Sequence, residues 1–465
     1  LNPPATGRGL AGAGRLSLAL SRALFGLFVL VVLSLRSIWL RDSVPVWSFP
    51  EPFPTLHAQL GAFVVPIVLA GLTGIPWIIG RLLEQPRRGW TWGRLSIFLP
   101  LLALSALVVA GLDPARSART SSEIPKLLAF VWFAYLFLVN ERPSISVPIA
   151  LAALVQGGVA TLQFLTQGDL GLRSIGELEL NPNVDGISIM WVQERAWIRA
   201  YGLTDHPNWL GATMAVCVLW LLAALPASRG ARRWVLLAGV AAGFLGMMAS
   251  FSRAAWIGFG AGLLLFLFLE ARKRRSMPLV LRPQVLVALL LALAVLFLLP
   301  FREQLLSRMV PGDNPVEVRS IVERVRDARV ALEVIEAHPW RGVGAGGFLD
   351  AAWPLEPRAL TVHDVPLLLT AEFGLPALAL WLALILATFL SPAPATGGDP
   401  SESDARAAPA CRLPAWTASL VIGLLDPNPW PLLMLSSAIL FGLLLGSLAS
   451  PRAKIVAAVP PVPAS

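Results

Sequence analysis

Residues 284–300 read Gln-Val-Leu-Val-Ala-Leu-Leu-Leu-Ala-Leu-Ala-Val-Leu-Phe-Leu-Leu-Pro, an uncharged run that is apolar from Val285 to Leu299. A helix that crosses a bilayer needs about 20 mostly apolar residues. Runs of this kind recur at 16–35, 58–80, 96–112, 124–140, 144–166, 209–226, 234–250, 254–270, 365–390, 415–426 and 430–449, so with 284–300 there are twelve. They are continuous rather than alternating, which argues against a transmembrane β-barrel. The eleventh is short and ends in Asp426-Pro427-Asn428-Pro429, a sequence that stops a helix and lets it form a bent pair with the twelfth. The fold class is therefore an all-α polytopic membrane protein of about twelve transmembrane helices.

Composition agrees. Of 465 residues 56% are hydrophobic and 14% charged, against roughly 25% charged in an ordinary globular chain. Mean hydropathy is +0.70. Disorder, collagen, coiled coil and a small secreted scaffold are excluded. The net charge of +9 would raise nucleic acid as a partner for a soluble protein. Here the arginines cluster in short loops between apolar runs, where they set topology, and no nucleic acid is expected. Cys217 lies in an apolar run and Cys411 in a polar loop, so no disulfide framework is implied. His57, His206, His338 and His363 lack metal-ligand spacing. The first apolar run has no small-residue cleavage site, and no cleavable signal peptide is expected.

The positive-inside rule orients the bundle. Loops 81–95, 227–233 and 271–283 carry Arg81, Arg87, Arg88 and Arg94; Arg229, Arg232 and Arg233; and Arg272, Lys273, Arg274, Arg275 and Arg282. With twelve helices and a cytoplasmic N-terminus, all three fall inside, as does the tail. The chain divides into five helices over 1–166, an extracytoplasmic segment with four helices over 167–300, a large extracytoplasmic loop over 301–364, and three helices over 365–450. Residues 391–413 form a low-complexity cytoplasmic linker, and 451–465 a cytoplasmic tail. Within the large loop, Val318, Ile321, Val322, Val325, Leu332 and Ile335 recur at helical spacing. This predicts an amphipathic helix over 316–337, stopped by Pro339.

Several residues at the outer helix ends suit phosphate and proton chemistry. Arg199 has planar donors matched to phosphate, although an interfacial arginine that snorkels is the plainer reading. Arg253 sits outside in the tiny turn Ser250-Phe251-Ser252-Arg253, against the charge rule, and such a residue is a functional hypothesis by default. His363 opens the tenth helix and suits a general base; a capping histidine is the alternative. Glu372 stands inside the same apolar run, where a carboxylate is costly unless paired. Gly342-Val343-Gly344-Ala345-Gly346-Gly347 formally contains a dinucleotide fingerprint, but no strand precedes it. A turn allowing close backbone approach explains it better.

Four stretches together resemble the O-antigen ligase / O-antigen polymerase superfamily of bacterial polysaccharide membrane enzymes. They are Arg199…Gly202…His206-Pro207-Asn208, Ser250-Phe251-Ser252-Arg253-Ala254-Ala255-Trp256, Arg329…His338-Pro339-Trp340-Arg341-Gly342-Val343-Gly344, and His363-Asp364 followed by Glu372-Phe373-Gly374. The resemblance covers about 195–380 and implies transfer of a glycan from an undecaprenyl-diphosphate carrier to a glycan or lipid-linked acceptor. It implies an inner-membrane enzyme with its site facing the periplasm or cell exterior. Arg199 and Arg253 would bind the diphosphate and His363 would activate the acceptor, with His206, Asn208, Arg329 and Glu372 in support and no metal or cofactor. The ligase pattern is His-[Asn/Ser/Gln]-x9-Gly-x2-Gly. His363 to Gly374 keeps the spacing, whereas Asp364 replaces the amide or hydroxyl and Ala377 the last glycine. Competing classes are a transporter or flippase of lipid-linked oligosaccharide, which predicts repeats or paired mid-membrane charges, and a non-catalytic membrane scaffold.

Overall fold

A computed structural model of the protein describes residues 5–36, 63–84, 89–184, 186–272, 282–309, 315–390 and 412–450. The tail, nearly all of the expected linker at 391–413 and most of loop 271–283 lie outside these residues. The helices are α1 Ala5–Ser34, α2 Val64–Glu84, α3 Leu95–Ala110, α4 Ala118–Glu141, α5 Ser146–Thr166, α6 Pro207–Ala224, α7 Gly230–Ala249, α8 Arg253–Ala271 and α9 Pro283–Leu298. Beyond them come α10 Arg302–Met309, α11 Pro315–Ala337, α12 Phe348–Ala352, α13 Val365–Leu390, α14 Leu413–Gly423 and α15 Leu435–Ala449. Each of the twelve expected apolar segments overlaps a helix among the described residues. Nine helices among the described residues are long and apolar enough to cross a membrane, by length and composition. The other three, Leu95–Ala110, Leu413–Gly423 and Leu435–Ala449, are shorter.

The all-α expectation needs one correction. Strands β1 (Ile189–Val192) and β2 (Arg195–Ile198) form an antiparallel hairpin. Gln193 and Glu194 at its tip both have positive φ, 50° and 57°, the twist that a two-residue hairpin turn requires. Four-residue strands with mixed burial leave little periodic signal, so they were not legible in the sequence.

Helix α6 occupies the centre. Nearly every one of its residues is buried, as expected of a helix that is apolar all round. Around it α5 packs on α7, α8 on α14, and α15 on α4, while α1 lies against α2. At the end opposite the hairpin, the fully buried Glu141 carboxylate accepts hydrogen bonds from Arg22 Nη2 (2.9 Å) and Trp77 Nε1 (3.0 Å), and Arg81 Nε lies 2.7 Å from it. That cluster fastens α1, α2 and α4 together.

Helix α11 exists where the spacing placed it, but it faces the other way. Val318, Ile321, Val322, Val325 and Leu332 are exposed, while Asp327, Val330, Ala331 and Val334 are buried. The buried side packs on α12 and α13. Its small and β-branched residues allow close approach, and Asp327 accepts hydrogen bonds from Arg326 and from the backbone N–H of Leu360.

Candidate functional site at one end of the helix bundle

The site is built on a strained turn. Phe251, between α7 and α8, is fully buried with φ of 47°, an uncommon conformation for a bulky residue. It persists because the surroundings fix it. Arg199 Nε donates to Ser250 O at 2.8 Å, and Arg308 Nε donates to Phe251 O at 3.2 Å. Arg253, the first residue of α8, donates from Nη1 to Arg308 O at 3.3 Å. Beneath, Phe164, Trp197, Phe297 and Phe301 form an aromatic floor with Phe251. Three arginines, one just after β2, one opening α8 and one in α10, therefore gather on one turn. Arg199 and Arg308 are 6% and 8% exposed. Sequence reading singled out Arg199 and Arg253 but missed Arg308, which lies in the short polar helix α10 among ordinary charged residues.

Arg199 is aimed by a relay. Its Nη2 donates to Asn208 Oδ1 at 2.6 Å, and Asn208 Nδ2 donates to Asp426 Oδ2 at 2.7 Å. Asp426 is buried and also accepts from Asn428 N at 3.0 Å. In the sequence Asp426 reads as part of a helix stop; the signal of its role is a carboxylate set among prolines in an apolar stretch. The backbone after Arg199 is held by two buried glutamines of α5, seven residues apart on one face. Gln163 bonds Tyr201 N, Gly202 N and Gly202 O, and Gln156 bonds Leu203 N and Leu203 O. Polar residues at that spacing in an apolar helix were a legible signal.

His206 is the N-cap of α6. Its Nδ1 accepts from Asn208 N at 3.1 Å and its Nε2 lies 3.0 Å from Ser188 Oγ. Burial first, then the charges of Arg199, His363, Arg324 and Arg308, push its pKa down to about 3. A neutral ring with an accepting Nδ1 is what the cap requires.

His363 lies at the mouth of α13, one residue before the cap. Asp364 Oδ1 accepts from Leu367 N at 2.7 Å and so caps the helix. Asp, Asn and Ser share that capping ability, which makes the departure from the ligase pattern at Asp364 conservative. Burial, and next the Arg324 charge, hold His363 below the usual imidazole pKa; Asp426, Asp327 and Glu323 oppose them. The ring is thus neutral near pH 7. Its Nδ1 is buried without a hydrogen-bond partner within the protein. The charges of Arg199, His363, Arg324 and Arg308 all reach His206, and that of Arg324 also reaches His363, so the two histidines and the arginine turn share one end of the bundle.

Two expected supporting residues are not brought to this cluster. Arg329 is exposed on α11. Glu372 lies nine residues along α13 from His363, about 13 Å at helical rise. Its buried carboxylate accepts from the backbone N–H groups of Gly346 and Phe348, with Arg116 nearby. It belongs to a clasp around the break in α13 at Gly374, where φ is 78°. Val343 N donates to Ala371 O, Gly344 N to Glu372 O, and Leu375 N to Pro339 O, at 2.9, 2.8 and 2.7 Å. The glycine turn thereby satisfies the groups that the break exposes, and Arg116 adds a bond to Val343 O. A Cβ on Gly342, itself at φ of 63°, would lie 2.3 Å from the Glu372 carbonyl. Gly342→Ala should therefore cost at least about 1–3 kcal/mol from backbone conformation alone, read as a lower melting transition of the purified protein. An unchanged transition would mean that the clasp is loose.

A helical bundle with nine described helices long and apolar enough to cross a membrane has the architecture of a multi-pass membrane protein, and buried arginines and a histidine lie at one of its ends. Among the described residues, no group of three or more His, Cys, Asp or Glu side chains could hold a metal ion. Residues 238–382 match the family model described as O-antigen ligase, so this segment of the chain is similar to that family. No curated protein matches the chain. The matched segment contains Arg253, Arg308, Arg324 and His363, while Arg199, Asn208 and Asp426 lie outside it.

Proposed function

We propose that the protein transfers a glycan from an undecaprenyl-diphosphate carrier to an acceptor hydroxyl at the extracytoplasmic face of the bacterial inner membrane, without a metal. The gathering of Arg199, Arg253 and Arg308 on the 250–253 turn, beside a neutral His363, is the observation that carries this reading. The arginines hold the diphosphate. His363 takes the proton of the acceptor hydroxyl as its oxygen attacks the anomeric carbon. The anomeric carbon–oxygen bond to the phosphate breaks, and undecaprenyl diphosphate leaves with the electron pair. Arginine forks stabilise that charge as it develops, with charge-assisted bonds of the strong kind. Asn208 and Asp426 keep Arg199 aimed.

The test is transfer by purified protein in lipid vesicles from a glycosylated undecaprenyl diphosphate to a saccharide acceptor in the presence of EDTA. Product formation is expected. In cells lacking the protein, lipid-linked glycan should accumulate on the outer leaflet; accumulation on the cytoplasmic leaflet would replace this reading with a flippase. Sidedness has its own check. A cysteine at 320 should react with an impermeant reagent from outside and one at 230 should not, because the arginines at 229, 232 and 233 retain their loop inside. Labelling of both from one side would overturn the topology.

A further inference from the structure

Asp327 of α11 is fully buried, on the face that packs against α12 and α13. Its Oδ1 takes three donors: Nε and Nη2 of Arg326 at 3.1 and 2.9 Å, and the backbone N–H of Leu360 at 3.3 Å. Its Oδ2 is buried and accepts none. Leu360 stands three residues before His363, whose Nδ1 is likewise buried without a partner within the protein. The Asp327 charge acts on that ring. One spare acceptor and one ring nitrogen able to carry a proton are therefore neighbours, tied together by the Leu360 bond. Buried polar atoms left without partners destabilise a fold, and a bond between these two would relieve both at once.

We infer that Asp327 Oδ2 accepts a hydrogen bond from the Nδ1–H of His363 and so makes Asp327 a positioning residue for the base, an inference that rests on the transfer reading above. A small movement of residues 353–364, which hold no helix or strand, closes the bond. The partner of one ring nitrogen decides which nitrogen carries the proton. With Nδ1–H held on Asp327, Nε2 is left bare to take the proton of the acceptor hydroxyl, and the carboxylate then stabilises the imidazolium that forms. The other charged groups around the ring are engaged or unsuited. Asp426 gives Oδ2 to Asn208 and Oδ1 to Asn428 N, Glu323 is ion-paired with Arg319, and Asp364 gives Oδ1 to the cap of its own helix. Arg324 has no acceptor to offer, and both ring nitrogens of His206 have partners.

The experiment uses the full-length protein in lipid nanodiscs with isotopically labelled histidine, read by nitrogen NMR at neutral pH. The sequence has four histidines, and the spectrum of His363→Ala identifies the His363 signals by difference. Nδ1 of His363 should carry the proton and Nε2 should be bare. Asp327→Asn keeps the Oδ1 acceptor for Leu360 and Arg326 but presents an amide donor to the ring, so the proton should move to Nε2. Transfer should then fall by about 10²–10⁴, as for loss of the base itself, with the KM of the lipid-linked donor unchanged. The Asp327 charge raises the pKa of His363, so its loss should carry the acid limb of the residual activity to lower pH. A carboxylate that only fastened α11 to the chain at Leu360 would leave both tautomer and acid limb in place. Wild-type His363 protonated on Nε2 would overturn the pair, and that measurement requires no variant to fold. So would a tautomer and an acid limb that ignore Asp327→Asn while His363→Ala abolishes transfer, an outcome that leaves the transfer reading intact. A tautomer that switches as described in a protein that transfers nothing would reject the transfer reading and leave the pair standing.

Discussion

Transfer by His363→Ala should fall by about 10²–10⁴, the usual loss on removing a positioned general base, while the lipid-linked donor still binds. In the proposed reaction His363 accepts the proton as the neutral ring. Burial and Arg324 hold its pKa below the ordinary 6.5, against the opposing carboxylates of Asp426, Asp327 and Glu323. A lowered pKa means that the proton-accepting form predominates at neutral pH, and activity declines only as the pH falls below the ordinary imidazole value of 6.5. Arg324→Gln removes the charge that repels protonation. The pKa should then rise and the acid limb of the pH–rate profile should move to higher pH. A limb that stays in place, or a folded His363→Ala protein with near-normal transfer, would remove His363 from the role of base.

Arg253→Ala should lower transfer by about 10²–10³, the range seen when one preorganised donor to developing charge is lost, and should weaken donor binding as well. Arg253→Lys should recover only part of this, since a point charge cannot reproduce a planar fork. Arg199→Lys should do worse than Arg253→Lys. Arg199 spends Nε on Ser250 O and Nη2 on Asn208 Oδ1, two directions that one ammonium cannot serve while also facing a phosphate. The measurements are donor affinity, transfer rate and melting transition for each variant. Full activity in Arg253→Lys would show that a diffuse positive charge suffices and that the bidentate arrangement is wrong.

The sequence made the helices legible because a bilayer-length apolar run has few other readings, and each expected segment overlaps a helix among the described residues. It was less informative wherever a local pattern had two possible partners. The apolar stripe of α11 was visible, yet the packed face is set by Asp327, Val330, Ala331 and Val334, and nothing local says which side meets α13. Arg199, Arg253 and His363 stood out because each sits at a helix end where charge or titration is unexpected. Arg308 and Asp426 did not, because their meaning lies in contacts with residues 57 and 218 positions away. Glu372 was conspicuous for its burial, but the backbone N–H groups that hold it belong to a turn about 25 residues upstream, and the same folding-back gives the glycine run its purpose. The dinucleotide reading of that run was excluded by context alone.

The clasp between residues 339–344 and the break in α13 also sets where this protein can be cut and rejoined. Consider an exchange of the 301–364 segment alone with that of a relative. Such a graft would sever every backbone bond that closes the break at Gly374 and would pair a foreign glycine turn with a native helix. The exchangeable unit instead runs through Leu375, so that both halves of the clasp travel together and the Gly342 contact is carried over intact.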